Sequence, residues 1–426
     1  MRTIGLFGAI SIGVGGMVGG GIFAVLGEAV SLASGATALA FFIAGIVALL
    51  TSYSYAKLSI QYQSSGGTVT FVDEAFGHNL LSGSVNLMLW LSYLVTISLY
   101  AVAFSSYALT FFTENSSFLK HFFITLAIIL PAIINLISAS FVSKSEIIIV
   151  VIKIILLCII IISGATYVDV DRLSPSSWGS STSIVVAGMI IFVAFEGFEL
   201  IANAASEIKN PVKNLPIAFY TSVIFVIVLY VLIAIISVGT VSEDKLLEAK
   251  DYALAIAAKP ALGNFGFTIV SIAALLATFS AINATIYGNS RLSYIIASEG
   301  NLPLILKKSK NDIPFMGIFF TLGFSSILAN VIDLNEIAII GSASFLLIFF
   351  IVNMSAYKLR KEIKANAFIL ILSISATFIA LAVLLEHTYS SNPKAIIIFI
   401  SFIIFSFLFE LFYGKIVRGH IFQRRY

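Results

Sequence analysis

The 426-residue chain is 59% hydrophobic and 11% charged, with a mean hydropathy of +1.07, whereas a water-soluble domain carries about 25% charged residues. These values exclude a soluble globular domain and indicate a polytopic membrane protein. The net charge of +3 does not mark a nucleic-acid binder, because the basic residues are scattered in short stretches between apolar runs and form no basic face.

At about 20 residues per ~30 Å of hydrocarbon, the apolar segments predict an all-α fold of twelve spans. They lie near 4–32, 36–62, 79–112, 119–139, 143–167, 183–206, 216–240, 264–290, 315–333, 335–357, 366–386 and 394–414. The first span holds GVGGMVGGGIF (13–23), with six glycines in nine residues. Each glycine disfavours a helix by about 0.8–1 kcal/mol relative to alanine, so the run opposes a continuous helix by about 5–6 kcal/mol. Unwound backbone is tolerated in a membrane only where protein or a water-filled cavity satisfies it, and the run therefore predicts a break beside a cavity. A half-helix ending near Gly15 would leave carbonyls free, and one beginning near Gly20 would leave N–H groups free. Such ends can hold an ammonium and a carboxylate close together, and glycine lets a ligand touch the backbone. An amino acid zwitterion fits that description. Two other readings of the glycines stay open. One is a close-packed face of the small-xxx-small kind. The other is a dinucleotide loop built on Gly13, Gly15 and Gly19, which needs a βαβ unit that membrane helices do not supply.

Farther along, SSGGTVTFVDEAFG (64–77) is too polar to cross and is expected as a re-entrant or interfacial piece. The long span 79–112 is expected to tilt. In the fifth span, SKSEIIIVVIKIILLCIII, Lys153 stands ten residues after Ser143, which is about 15 Å deep at the rise of a helix. Its side chain either stretches toward the cytoplasm or docks on the carbonyls of the first break near Gly15 as a tethered cation. In the second case desolvation opposes its charge and carbonyls favour it, so the lysine can load and release a proton. The sixth span, IIFVAFEGFELIANAASEIKNPVKNLP (190–216), sets Gly197 between Glu196 and Glu199. Carboxylates inside a membrane are functional candidates by default. Glycine interruptions five spans apart match the discontinuous helices of two repeats. Residues 1–167 and 183–357 then form inverted halves of five spans each, 366–414 supplies two accessory spans, and 415–426 is a cytoplasmic tail. The mixed-charge stretch 241–264 reads as a surface helical cap.

With the N-terminus inside, seventeen basic residues, among them Lys144, Arg418, Arg424 and Arg425, fall on the cytoplasmic side against six outside. The positive-inside rule then places both termini in the cytoplasm. The single cysteine, Cys158, has no intrachain partner, and His78, His121, His387 and His420 show no helical pairing. Neither a disulfide framework nor a metal or other cofactor site is expected. No HExxH or GxSxG motif points to an enzyme, and the few intramembrane charges do not line a continuous pore as a channel would. No removable signal peptide is expected.

The glycine run followed by IF, the segment GFELIANAASEIKNPVKNLP, the stretch SRLSYIIASEGNLP and Lys153 in span five together resemble the amino acid–polyamine–organocation family of transporters. The likeness is nearest to its prokaryotic, proton-coupled, broad-specificity members, in which a lysine of span five takes the place of a sodium ion. It covers nearly the whole chain and implies a LeuT-like five-plus-five inverted repeat with broken helices 1 and 6 and two added helices. It also implies a secondary transporter of the cytoplasmic membrane, with an amino acid and a proton as its partners beside the lipid bilayer. By that resemblance, amides around Gly19, Gly20 and Gly21 hold the substrate carboxylate, and carbonyls near Gly16, Phe195 and Glu196 hold its amino group. Phe192, Phe195 and Phe198 supply gate or pocket aromatics, or simply pack. Gly15, Lys153, Ser280 and Glu199 serve proton coupling, with Ser280 either contacting Lys153 or bonding its own helix. Glu196 departs from the apolar or tyrosine residue expected at its position. That departure motivates the alternative of an amino acid or polyamine exchanger favouring cationic substrates.

Overall fold

The computed structural model describes residues 2–418 except 114, 115, 138 and 312, and gives backbone alone for 139–147 and 418. Of the residues that set the expected orientation, the Lys144 and Arg418 side chains therefore lie outside the described residues, as do Arg424, Arg425 and the end of the 415–426 tail. The described residues are helical, with isolated bridges in place of strands.

The first span is two helices, α1 (Leu6–Met17) and α2 (Gly21–Ala33), bent by 46° at the intervening residues. Next come α3 (Thr37–Gln61), the short α4 (Thr68–Phe76), α5 (Leu80–Leu109), α6 (Ser117–Ile137) and α7 (Ala139–Gly164). The second half opens with α8 (Ser181–Ile190), a 3₁₀ stretch Ile191–Phe195, and the single turn α9 (Leu200–Asn203), followed by α10 (Pro211–Thr240). Small helices α11 (Glu243–Ala249) and α12 (Ala253–Ala257) precede α13 (Lys259–Ser298), α14 (Phe315–Val331), α15 (Leu334–Lys358), α16 (Ala367–Ser391) and α17 (Pro393–Tyr413). Among the described residues ten helices are long and apolar enough to cross a membrane, or eleven with the bent pair counted as one span; α14 is apolar but shorter. This is a multi-pass, all-α membrane protein.

Helix ends follow local chemistry. Asn79 and Ser82 form a capping box at the start of α5, each side chain accepting the other's backbone N–H at 3.1 Å, which satisfies two N–H groups the helix itself cannot. The polar stretch expected not to cross is α4, whose Val69, Phe71 and Val72 are buried as it packs on α5 and α15. Helix α5 runs through the middle, enclosed by α6, α13, α14, α15 and α17. Helices α6, α7 and α17 instead turn large apolar side chains such as Phe122, Ile155 and Ile397 outward.

The two broken segments lie side by side and antiparallel. Near one end, Ile4 donates its N–H to the Glu207 carbonyl (3.0 Å) and accepts from Lys209 N–H (2.8 Å). At the other end, Gly35 N–H donates to the Ser177 carbonyl at 3.0 Å. The expected cap is α11–α12, fastened to α2 by the Lys250 Nζ–Glu28 Oε1 ion pair at 2.7 Å. Asn335 donates to the other Glu28 oxygen at 2.7 Å. A β-carbon on Gly27 would meet the Lys250 carbonyl carbon at 2.7 Å, so the cap backbone lies directly against α2.

Candidate functional site

The first break falls at Val18–Gly20, two residues later than the glycine run suggested, and Gly13, Gly15 and Gly16 remain helical. The shift has a physical cause. Met17, the last residue of α1, has a carbonyl that would otherwise be orphaned inside the protein, and the Tyr230 hydroxyl donates to it at 2.6 Å. The same hydroxyl lies 3.3 Å from the Ala194 carbonyl of the second break. Gly16, retained within the helix, serves close packing: its β-carbon would sit 2.7 Å from the Gly197 carbonyl oxygen. At the other side of the break Gly21 begins α2, with Gly20 at its N-cap. The first N–H groups of a helix have no carbonyl of a preceding turn to bind, and the positive end of the helix dipole lies there.

The second break is wound more tightly. Helix α8 narrows into the 3₁₀ stretch that contains Phe192 and Phe195, and the chain then extends through Glu196. Gly197 follows with φ +120°, a conformation open only to glycine at low cost. The interrupted ladder is completed from other elements. Ser342 of α15 accepts the Val193 N–H at 2.9 Å and donates to the Ile190 carbonyl at 2.6 Å. Glu199 folds back so that its Oε2 accepts the Gly197 N–H at 2.8 Å.

The predicted residues fall into three groups. Gly16, Gly19, Gly20 and Gly21 come together with Phe195, Glu196 and Glu199 where the breaks abut, all of them buried or nearly so. Phe192 and Phe198 turn into an aromatic cluster, with rings 5.9 and 5.2 Å from Phe349, and Phe198 also 5.5 Å from Tyr55. Phe195 stacks edge-on against Tyr230 at 5.3 Å. Lys153 and Ser280 form the third group, each 1% exposed. They lie on α7 and α13, which pack together, and α7 also packs on α1, the helix that carries Gly15. A lysine sealed to this degree inside the bundle does not reach water.

Sequence reasoning missed the tyrosines of α5. Tyr93 donates to Glu199 Oε1 at 3.1 Å, Tyr100 to Glu196 Oε2 at 3.4 Å, and Tyr107 to the Phe23 carbonyl of α2 at 3.2 Å. Their seven-residue spacing, two helical turns each, puts all three on one face, and that spacing was the available signal. Tyr93, Tyr100, Tyr230 and Ser342 thus engage carboxyl and backbone groups of the two breaks, as buried polar groups require.

The arrangement offers backbone N–H groups, backbone carbonyls and carboxyl groups converging between two helix ends, walled by aromatic rings. Among the described residues no group of histidine, cysteine and acidic side chains could hold a metal ion. The sequence profile described as amino acid permease matches residues 4–415. The chain is 32% identical to an uncharacterised protein of Methanocaldococcus jannaschii, over 98% of this chain and 96% of that one. It is 33% identical to the inner membrane transport protein YbaT of Escherichia coli, over 96% and 95% of the two chains. It is 26% identical to the methylthioribose transporter of Bacillus subtilis, over 86% and 83%.

Proposed function

The chain belongs to the amino acid permease family, and on that premise we propose that it is a secondary transporter carrying amino acids across the cell membrane by alternating access. The observation that carries this reading is the meeting of two helix breaks at Gly16 and Gly197, in a buried region that gathers opposite partial charges from helix ends. A substrate carboxylate rests on the N–H groups at Gly19, Gly20 and Gly21, where the α2 dipole is positive. The substrate ammonium meets carbonyls near Gly16, Phe195 and Glu196. Lys153, buried on a helix packed against α1, acts as a tethered cation near the Gly15 carbonyl and exchanges its proton as access alternates, with Ser280 beside it.

With α14 counted, the spans number twelve, and the antiparallel run of the two broken spans suits a five-plus-five inverted repeat followed by α16 and α17. The apolar exterior faces lipid, and both termini are cytoplasmic by the distribution of basic residues.

The test is uptake of labelled amino acids by the purified protein in liposomes, under an imposed pH gradient and, separately, an imposed sodium gradient. Uptake driven by the pH gradient and indifferent to sodium is expected. Uptake that needs preloaded amino acid and ignores the pH gradient makes the protein an exchanger and removes the role given to Lys153. Failure to move any amino acid, with methylthioribose carried instead, removes the amino acid reading itself.

A further inference from the structure

Tyr100 spans the gap between the two breaks. A β-carbon on Gly20 would lie 2.8 Å from the Tyr100 Cγ, so the ring rests directly on the backbone at the α2 N-terminus. Its far end donates to Glu196 Oε2 at 3.4 Å, and the whole side chain is buried. One rigid ring thus lies against the Gly20 α-carbon at the start of α2 while its hydroxyl holds Glu196. A carboxylate that reaches Gly20 from the side the ring occupies displaces the ring, and moving the ring takes the hydroxyl from Glu196. The ligand brings its own donor, the α-ammonium, to the carboxyl group just uncovered.

We propose that Tyr100 and Glu196 form a substrate-displaced latch in which the ligand's α-ammonium replaces the Tyr100 hydroxyl on Glu196, so that the site selects neutral amino acids over cationic ones. The selectivity follows from counting carboxyl groups. Among the described residues the buried carboxyls are Glu28, Asp73, Glu196, Glu199, Glu336 and Glu410. Glu199 has one oxygen on the Gly197 N–H and the other on Tyr93. Glu28 is held by Lys250 and Asn335, Asp73 by Asn86 and His78, Glu336 by Lys394, and Glu410 by Asn301. Glu196 faces Glu199 and takes the Tyr100 hydroxyl on Oε2; of the two it is the carboxyl group held by side chains alone, with no backbone N–H, and an amino acid claims it with its α-ammonium. A lysine or arginine side chain would then carry an unpaired charge against the Phe195 and Tyr230 rings, at several kcal/mol in cost. The latch also explains why a carboxylate stands where an apolar residue or a tyrosine was expected, since its partner tyrosine comes from α5.

The inference rests on the reading of this region as an amino acid site. The test is equilibrium binding of labelled L-leucine to the purified full chain in lipid nanodiscs, with L-alanine, L-lysine and L-arginine as competitors, on wild type, Tyr100→Phe and Glu196→Gln. Neutral amino acids are expected to compete with L-leucine, and the two cationic ones to compete roughly a hundredfold more weakly or worse. Tyr100→Phe removes the competing hydroxyl and leaves the ring. It is expected to tighten L-leucine binding by roughly two- to fivefold, the worth of one long buried hydrogen bond, whereas simple damage to the site would weaken it. Glu196→Gln is expected to weaken L-leucine binding by more than tenfold, as loss of a charge-assisted bond does. Weaker binding by Tyr100→Phe, or L-lysine binding as well as L-leucine, overturns the latch and leaves the transport reading standing. Binding of none of these amino acids overturns the transport reading and the latch with it.

Discussion

Gly197→Ala strikes the contact between the breaks. An alanine there would hold φ near +120°, which costs a non-glycine residue about 1–3 kcal/mol. Its β-carbon would stand 2.6 Å from the Met17 nitrogen and 2.7 Å from the Gly16 α-carbon, inside ordinary contact distance, and neither backbone atom can rotate away. Overpacking of this kind costs a further 1–3 kcal/mol or so. Together these terms disfavour the apposed breaks by about 2–6 kcal/mol, or roughly thirtyfold to 10⁴-fold in population at about 1.4 kcal/mol per decade. The packing of α3 on α10 and of α5 on α13 and α15 lies outside that contact, so the variant is expected to insert and to purify as a monodisperse species. Its amino acid binding should fall at least thirtyfold, with a lower melting temperature. Gly323→Ala in α14 is the matched control, because a β-carbon there meets nothing within 4 Å and should be neutral or slightly stabilising. If Gly197→Ala melts and binds like Gly323→Ala, the two breaks do not form the site.

Three further outcomes follow from other parts of the molecule. Lys153→Ala should abolish uptake driven by a pH gradient in liposomes while leaving amino acid binding measurable, and undiminished pH-driven uptake would remove the coupling role. Ser342→Ala strips a donor from the Ile190 carbonyl and an acceptor from the Val193 N–H; it should cost about 1–3 kcal/mol, read as a lower unfolding midpoint than for Ser401→Ala, whose hydroxyl bonds only its own helix. Asp251 lines a cavity of about 470 Å³ between the cap, α5 and α6. Burial pushes its carboxyl above the ordinary value of 3.8, against the opposing hydrogen bond from Ser106 and the Lys250 and Lys120 charges. A carboxyl with a raised folded-state value favours the packed cap most below its ordinary value, and that support is lost as pH rises through the raised one. The melting temperature of wild type should therefore fall relative to Asp251→Asn as pH climbs from about 4, and a constant difference between the two would contradict this.

The sequence made the breaks legible because glycine and charge are costly in a membrane helix, and six glycines or a glutamate pair cannot be hidden among apolar residues. The burial of Lys153 was legible for the same reason, and the cap through its mixed charges. What it could not specify was where each helix stops. Helix α1 continues past Gly15 and Gly16 because Tyr230, more than two hundred residues away, supplies a donor at Met17. The second break tightens into a 3₁₀ stretch around a serine of α15. The α5 tyrosines were readable as a seven-residue stripe, but a tyrosine stripe in an apolar helix has no meaning until the carboxyl groups facing it are known. Phe192 and Phe198 turn toward other aromatics, a direction set by packing against α3 and α15.

The measurement that bears most directly on the whole reading is an experimental density map of the protein with an amino acid bound. The expected map has the carboxylate within about 3 Å of the N–H groups at the start of α2, α1 ending near Met17, and the Tyr100 ring swung off Gly20. A map in which Val18–Gly20 are wound into one straight helix, or in which the amino acid lodges away from both breaks, would contradict it.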